Sequence, residues 1–150
     1  MQFSLRTRKG RLDNMSENEL PIDVASVLKE LKADPAVLAV WLIGSRANCR
    51  ARPNSDWDLL VFASTEPVPK PAARNPFVDV LWKGPSGAIL VEGMSDVHTL
   101  PFDGLQWSPD GPVAMYQSRK YIDCPPGASV DIDAPRYAYE CMRAMRLWAR

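Results

Sequence analysis

Hydrophobic positions near the start of the chain recur with the period of an α-helix. The apolar residues that share one helical face are Leu20, Val24, Val27, Leu28 and Leu31. The helical pattern begins from Ser16, which has the spacing of a capping box with Glu19, and Pro21 leaves the first residue of the helix open. The helix should end near Asp34 and Pro35, because proline does not continue a helix.

Beyond this helix, short apolar or alternating runs replace the helical period and predict β-strands. These runs are residues 36–44, 56–62, 77–84, 88–94 and 113–122. Residues 133–150 return to a helical period and predict a second helix, with Asp133 as its N-cap. The stripe on that helix would comprise Tyr137, Cys141, Ala144, Met145 and Trp148. This order predicts one mixed α/β or α+β domain over residues 16–150, a sheet covered by an early and a late helix.

Composition restricts the function classes only loosely. Eighteen basic residues balance eighteen acidic residues, so bulk charge does not indicate a nucleic-acid or membrane partner. The three cysteines include no C-x-x-C pair, which fits a reducing compartment and makes structural zinc unfavourable. No apolar run approaches the ~20 residues of a membrane span, and we expect a cytoplasmic protein.

The basic segment 1–15 is interpreted as a flexible tail at the start of the chain. The alternative is a nucleic-acid-binding arm, because four basic side chains are clustered in it. They are Arg6, Arg8, Lys9 and Arg11.

Two carboxylates stand at the start of the second apolar run. Asp56 and Asp58 flank Trp57, and alternation along a strand places both aspartates on one face. Two like charges on an otherwise apolar strand are unfavourable unless a cation binds them. Hard divalent metals prefer carboxylate oxygens, and magnesium binds through one or two carboxylates together with substrate phosphates.

A Gly-Ser pair ends the preceding apolar run. Gly44 permits close approach of backbone N–H groups to an anion, and Ser45 adds a hydroxyl donor. Arg46 adds a permanent positive charge. A phosphate-binding turn next to metal-binding carboxylates predicts a metal-nucleotide site.

The run "IGSRANCRARPNSDWDLLVF" resembles the signature of the nucleotidyltransferase superfamily related to DNA polymerase beta, and is most similar to the minimal nucleotidyltransferases. The resemblance implies a nucleotidyltransferase-like mixed β-sheet flanked by helices. It implies that Asp56 and Asp58 bind two Mg²⁺ ions, with Mn²⁺ as an alternative. Gly44 and Ser45, with Arg46 and Ser55, would bind the nucleotide.

Members of this superfamily usually carry a third carboxylate on a neighbouring strand, which activates the acceptor hydroxyl. We expect Asp79 in "FVDVLW" to serve as this catalytic residue and metal ligand; Glu92 and Asp96 are weaker alternatives. Minimal members often carry another Arg-Gly pair in the loop after the Gly-Ser turn, where this chain has Asn48, Cys49 and Arg50. We expect Trp57 to pack on the opposite face of the sheet from the two aspartates beside it.

The resemblance implies magnesium-dependent transfer of a nucleoside monophosphate from an NTP to a hydroxyl acceptor. That acceptor would be a protein side chain, an RNA end or a small molecule such as an aminoglycoside. A helical partner protein or a homodimer would present it. The alternative is a non-catalytic nucleotide-binding or antitoxin-like module with the same fold. His98 is interpreted as a surface or hydrogen-bonded residue, and the second D-x-D, Asp131 with Asp133, as a helix start.

Overall fold

A computed structural model of the chain describes residues 19–70, 72–94, 97–98, 108–121 and 137–150. The helices and strands, in chain order, are α1 (Ile22–Ala33), β1 (Val37–Ile43), α2 (Gly44–Ala47), β2 (Trp57–Ala63), β3 (Val78–Lys83), β4 (Ile89–Val91), β5 (Val97–His98), β6 (Ser108–Asp110), β7 (Val113–Tyr121) and β8 (Tyr137–Ala149).

Over these ranges the strands form one mixed eight-stranded sheet in the order β5-β4-β3-β2-β1-β8-β7-β6. Strands β2 and β3 are parallel, and the other neighbouring pairs are antiparallel. The predicted α+β class with a mixed, nucleotidyltransferase-like sheet is confirmed. Each of the five predicted strands is present, with ends that differ from the prediction by a few residues.

Helix α1 covers one face of the sheet through the apolar stripe seen in the sequence. Its buried side chains are Val24, Val27, Leu28 and Leu31. They join a core formed mainly by Val40, Leu42, Leu59, Val61, Val78 and Val80. Alternate residues of the same strands enter a second cluster on the opposite face, which includes Trp41, Ile43, Leu60, Ala114, Tyr116 and Ala144. The central strands are therefore buried on both faces, which explains their nearly continuous apolar sequence.

Helix α1 lies between two prolines, Pro21 and Pro35. The helix begins at Ile22 after Pro21, which provides no side-chain cap, and ends at Ala33 with Asp34 as the C-cap. The predicted end near Asp34 is correct. Ser16 of the expected capping box lies outside the described residues.

The predicted second helix is wrong: residues 137–149 form the 13-residue strand β8. This segment pairs with β1 on one side and with β7 on the other, so it satisfies its backbone groups in two ladders. Its neighbouring residues Ala144 and Met145 enter the cores on opposite faces of the sheet. Residues such as Ala, Met, Leu and Arg favour helices in isolation, but sheet pairing and burial override that preference.

Some predictions concern residues outside the described ranges. They include the basic tail 1–15, the alternative carboxylate Asp96, and Asp131 with Asp133. His98 lies in β5.

Candidate active site

Two carboxylates meet where β2 and β3 begin. Asp58 of β2 is the direct partner of Asp79 of β3 in the parallel pair. Directly paired residues point to the same face of a sheet, and the two carboxyl groups lie within hydrogen-bonding reach of each other. A hydrogen bond between them forms when one of the two carries a proton. The predicted association of Asp58 with Asp79 is therefore present.

Burial and like charge make Asp58 a perturbed acid. Its pKa is raised from 3.8 to about 6 by burial, then by the charges of Asp79 and Asp56 and by the hydrogen bond to Asp79. Each cause disfavours the ionised form. A bound cation would remove the repulsion between the carboxylates, so this donor set fits a hard divalent metal.

Asp56 does not join the pair in the same way. It is exposed and lies just before β2, although its charge reaches Asp58. Within the described ranges, no three His, Cys, Asp or Glu side chains are gathered closely enough to hold a metal ion. The carboxylate pair is thus formed by the sheet, whereas Asp56 stands at its solvent side.

The Gly-Ser turn lies against the same pair. β1 ends at Ile43, the partner of Asp58, and Gly44 follows in the left-handed region with φ of 72°. A Cβ atom at Gly44 would collide with Oδ2 of Asp58. Glycine is therefore required here for both its conformation and its lack of a side chain. The turn and the carboxylate are close enough to contact one bound metal-phosphate group.

Arg46 and Ser55 both act within the loop that joins α2 to β2. Nη2 of Arg46 donates to the carbonyl oxygens of Ser55 at 2.8 Å and of Pro53 at 3.3 Å. The guanidinium group lies 4.9 Å from the ring centroid of Trp57, a cation-π contact. Oγ of Ser55 accepts a hydrogen bond from the Arg52 backbone at 2.8 Å. Both residues thus brace the loop, and their roles in nucleotide binding stay predictions.

Trp57 packs against the core on the α1 side. Its neighbour Asp58 points to the other face, as alternation requires. The structural role expected for Trp57 is confirmed.

The C-terminal strands contribute residues that the sequence did not reveal. Oη of Tyr116 in β7 accepts a hydrogen bond from the Gly44 N–H at 3.1 Å. The side-chain amide of Asn48 donates to Gly44 O at 2.7 Å and to Arg143 O at 3.0 Å, and it accepts from Arg143 N at 2.8 Å. Asn48 was visible only as a departure from the Arg-Gly pattern. Tyr116 lies 72 residues from Gly44 and had no local signature.

Glu92, an alternative third carboxylate, has a different role. It is buried, with 6% of its surface exposed, and both oxygens accept from Arg74 Nε at 2.9 and 3.0 Å. It also accepts from Trp82 Nε1 at 2.8 Å. Trp82 belongs to the α1-side core, on the face opposite to Asp79. Glu92 is therefore a structural ion-pair partner.

Residues 25–77 match the family model described as Polymerase beta, Nucleotidyltransferase. This segment belongs to the polymerase beta-like nucleotidyltransferase superfamily. The match includes the Gly44 turn, Asp56 and Asp58, and it ends just before Asp79. The superfamily assignment indicates nucleotidyl transfer as the general activity. No curated protein and no solved structure gives a significant match. Neither described helix is long and apolar enough to cross a membrane.

Proposed function

We propose that the protein is a magnesium-dependent nucleotidyltransferase that moves a nucleoside monophosphate from an NTP to a hydroxyl acceptor. The observation that carries this proposal is the Asp58–Asp79 pair directly beside the Gly44 turn. Like-charged, partly buried carboxylates need a cation, and a glycine turn offers backbone donors to an anion. Mg²⁺ with a nucleoside triphosphate supplies both charges in one ligand.

The metal ligands in this proposal are Asp58 and Asp79, with Asp56 joining from the solvent side when the nucleotide binds. Two Mg²⁺ ions, or Mn²⁺ in their place, would supply Lewis-acid stabilisation of the attacking and leaving oxygens. Gly44 and Ser45 bind and orient the triphosphate. Asp79 holds the proton that leaves the acceptor hydroxyl.

The reaction is an in-line displacement at the α-phosphate. The acceptor oxygen forms a bond to the α-phosphorus, and the bond from that phosphorus to the bridging oxygen of pyrophosphate breaks. The electron pair of that bond leaves with pyrophosphate. The proton of the acceptor passes to Asp79 and then to water. The protein contributes position and charge, as expected for a reaction that needs no covalent enzyme intermediate.

The acceptor belongs to one of three classes that carry a free hydroxyl: a protein side chain, an RNA end, or a small molecule such as an aminoglycoside. A helical partner protein or a second copy of the chain would bring it to the carboxylates. Labelling distinguishes these classes. Wild-type protein is incubated with cell lysate, Mg²⁺ and each of the four NTPs labelled at the α-phosphate, and the labelled species is isolated.

We expect label to appear in one acceptor class, with release of pyrophosphate, and to be lost in Asp79→Asn and in the presence of a chelator. Equal labelling by the wild type and Asp79→Asn would contradict the proposed catalytic pair. Glu66→Gln is a matched control. Its carboxylate accepts hydrogen bonds from the N–H and the hydroxyl of Ser86, which follows the end of β3 opposite to Asp79.

A non-catalytic nucleotide-binding module is the second candidate, and one observation favours it. In the described part of the chain, Asp56 is exposed and three carboxylates do not converge on one point. The two candidates differ in a single outcome. Tight, magnesium-dependent NTP binding without pyrophosphate release or label transfer would favour the binding module.

A further inference from the structure

Tyr116 connects the last part of the chain to the Gly-Ser turn. It lies in β7, outside the matched segment 25–77, and only 3% of its surface is exposed. Its Oη accepts the Gly44 N–H at 3.1 Å. Burial raises the pKa of Tyr116, the hydrogen bond from Gly44 lowers it, and the charge of Asp58 raises it, so the phenol lies within electrostatic reach of that carboxylate. Tyr116 therefore faces both halves of the candidate site.

Asn48 holds the other side of Gly44. Its amide donates to Gly44 O at 2.7 Å and forms a two-way hydrogen-bond pair with the Arg143 backbone. The last β1–β8 partner pair at this end is Leu42 with Met145. The Asn48 amide thus takes the place of the next rung of the ladder and ties the turn to β8.

The two contacts together define the backbone at Gly44. Tyr116 binds the peptide group before the Gly44 Cα atom, and Asn48 binds the peptide group after it. The orientations of these two groups set φ and ψ. Glycine has the greatest backbone freedom, so a glycine turn gains preorganisation only from contacts outside itself. Tyr116 belongs to β7, and the Asn48 amide is itself held by the Arg143 backbone of β8.

We propose that Tyr116 is a positioning residue for triphosphate binding: its hydroxyl, together with the Asn48 amide, fixes Gly44 in the conformation that presents the Ser45 backbone and hydroxyl to the phosphates. This inference rests on the proposed function. It makes the β7–β8 pair part of the nucleotide site, although the family match does not include it.

The test measures affinity for two probes, Mg-tripolyphosphate and an Mg-NTP, by calorimetry with fully folded protein. Tyr116→Phe keeps the ring and the net charge but removes the hydroxyl. We expect about five- to thirtyfold weaker binding of both probes, as the loss of one preorganising hydrogen bond implies. A merely structural role would lower the unfolding midpoint without changing the affinity of the folded protein.

Two further variants keep the result interpretable. Ser64→Ala removes a hydroxyl just after β2, at the end opposite to Asp58, where it donates to Ala36 O at 3.3 Å, and this variant should bind like the wild type. Asn48→Ala removes the second contact with Gly44 and should weaken both probes, which tests the proposal if Tyr116→Phe does not fold.

The possible outcomes distinguish the proposed function from the proposed role of Tyr116. Wild-type protein that binds neither probe overturns the proposed function and this inference together. Wild-type binding with unchanged or tighter affinity in Tyr116→Phe overturns the inference alone. Tighter binding would mean that the tyrosine hydroxyl occupies a donor that the phosphate needs.

Discussion

Asp58→Asn should make the metal-free protein more stable at neutral pH while it removes the site. In the absence of metal, the Asp58 carboxylate is partly buried and repelled by Asp79 and Asp56, and its pKa rises from 3.8 to about 6. The folded state therefore holds this proton more tightly than the unfolded chain. Consequently, the free energy of unfolding decreases as the pH rises from about 4 to about 6 and stays lower above that range.

The size of the effect follows from that shift. A pKa change from 3.8 to about 6 corresponds to at most about 3 kcal/mol. Because Asp58 is only partly buried, solvent screening reduces this to about 1 to 2 kcal/mol. Asparagine has nearly the same shape and carries no charge at any pH. We therefore expect Asp58→Asn to gain about 1 to 2 kcal/mol at pH 8, or roughly 2 to 8 °C in Tm.

Urea unfolding followed by tryptophan fluorescence, in a chelator at pH 4.5 and pH 8, measures the difference. The gain should be present at pH 8 and small at pH 4.5, where the folded wild type is already protonated at this carboxyl group. Asp56→Asn is the control, because Asp56 is exposed and its replacement should change stability by less than about 0.5 kcal/mol. A variant that is less stable than the wild type at pH 8, or an equal gain at both pH values, would refute the electrostatic reasoning.

Three other substitutions test separate parts of the account. Gly44→Ala should cost about 2 kcal/mol or more and abolish NTP binding, because its Cβ would meet the Asp58 carboxylate at a φ of 72°; normal binding by calorimetry would contradict the turn geometry. Cys49→Gly should raise the free energy of unfolding by about 1 kcal/mol, seen as a higher urea midpoint, because Cys49 has a left-handed φ of 57°. An unchanged midpoint would argue against backbone strain at this position. Glu92→Gln should cost about 2 to 4 kcal/mol, because it weakens the charge-assisted bonds from Arg74. The folded Glu92→Gln variant should bind NTP with wild-type affinity. A loss of NTP affinity without a loss of stability would indicate that Glu92 belongs to the nucleotide site.

The central part of the site could be predicted because its logic is local. Alternation within β2 and β3 placed Asp58 and Asp79 on defined faces, and the apolar run before Gly44 indicated a strand that ends in a turn. The spacing of these residues in the sequence did not determine the register between β2 and β3. The parallel pairing of β2 with β3 sets Asp58 directly opposite Asp79.

The structure of the C-terminal half was harder to predict from the sequence, because its strands pair with segments that are distant in the chain. β8 has a sequence that suits a helix, and it becomes a strand because β1 and β7 supply hydrogen bonds on both sides. The contacts of Tyr116 with Gly44 and of Asn48 with Arg143 exist only after that pairing forms. The sequence predicts Arg46 as a nucleotide-binding residue from its charge and its donors, and it did not reveal that the guanidinium also binds carbonyl oxygens of the adjacent loop.

The most direct test of the central claim is calorimetric titration of the wild type and Asp79→Asn with a non-hydrolysable NTP, with Mg²⁺ and with a chelator. The account predicts nucleotide binding by the wild type that requires Mg²⁺, and a loss of at least about tenfold in affinity in Asp79→Asn. Equal affinity with and without Mg²⁺, or equal affinity of the two proteins, would contradict a metal-nucleotide site built on the Asp58–Asp79 pair.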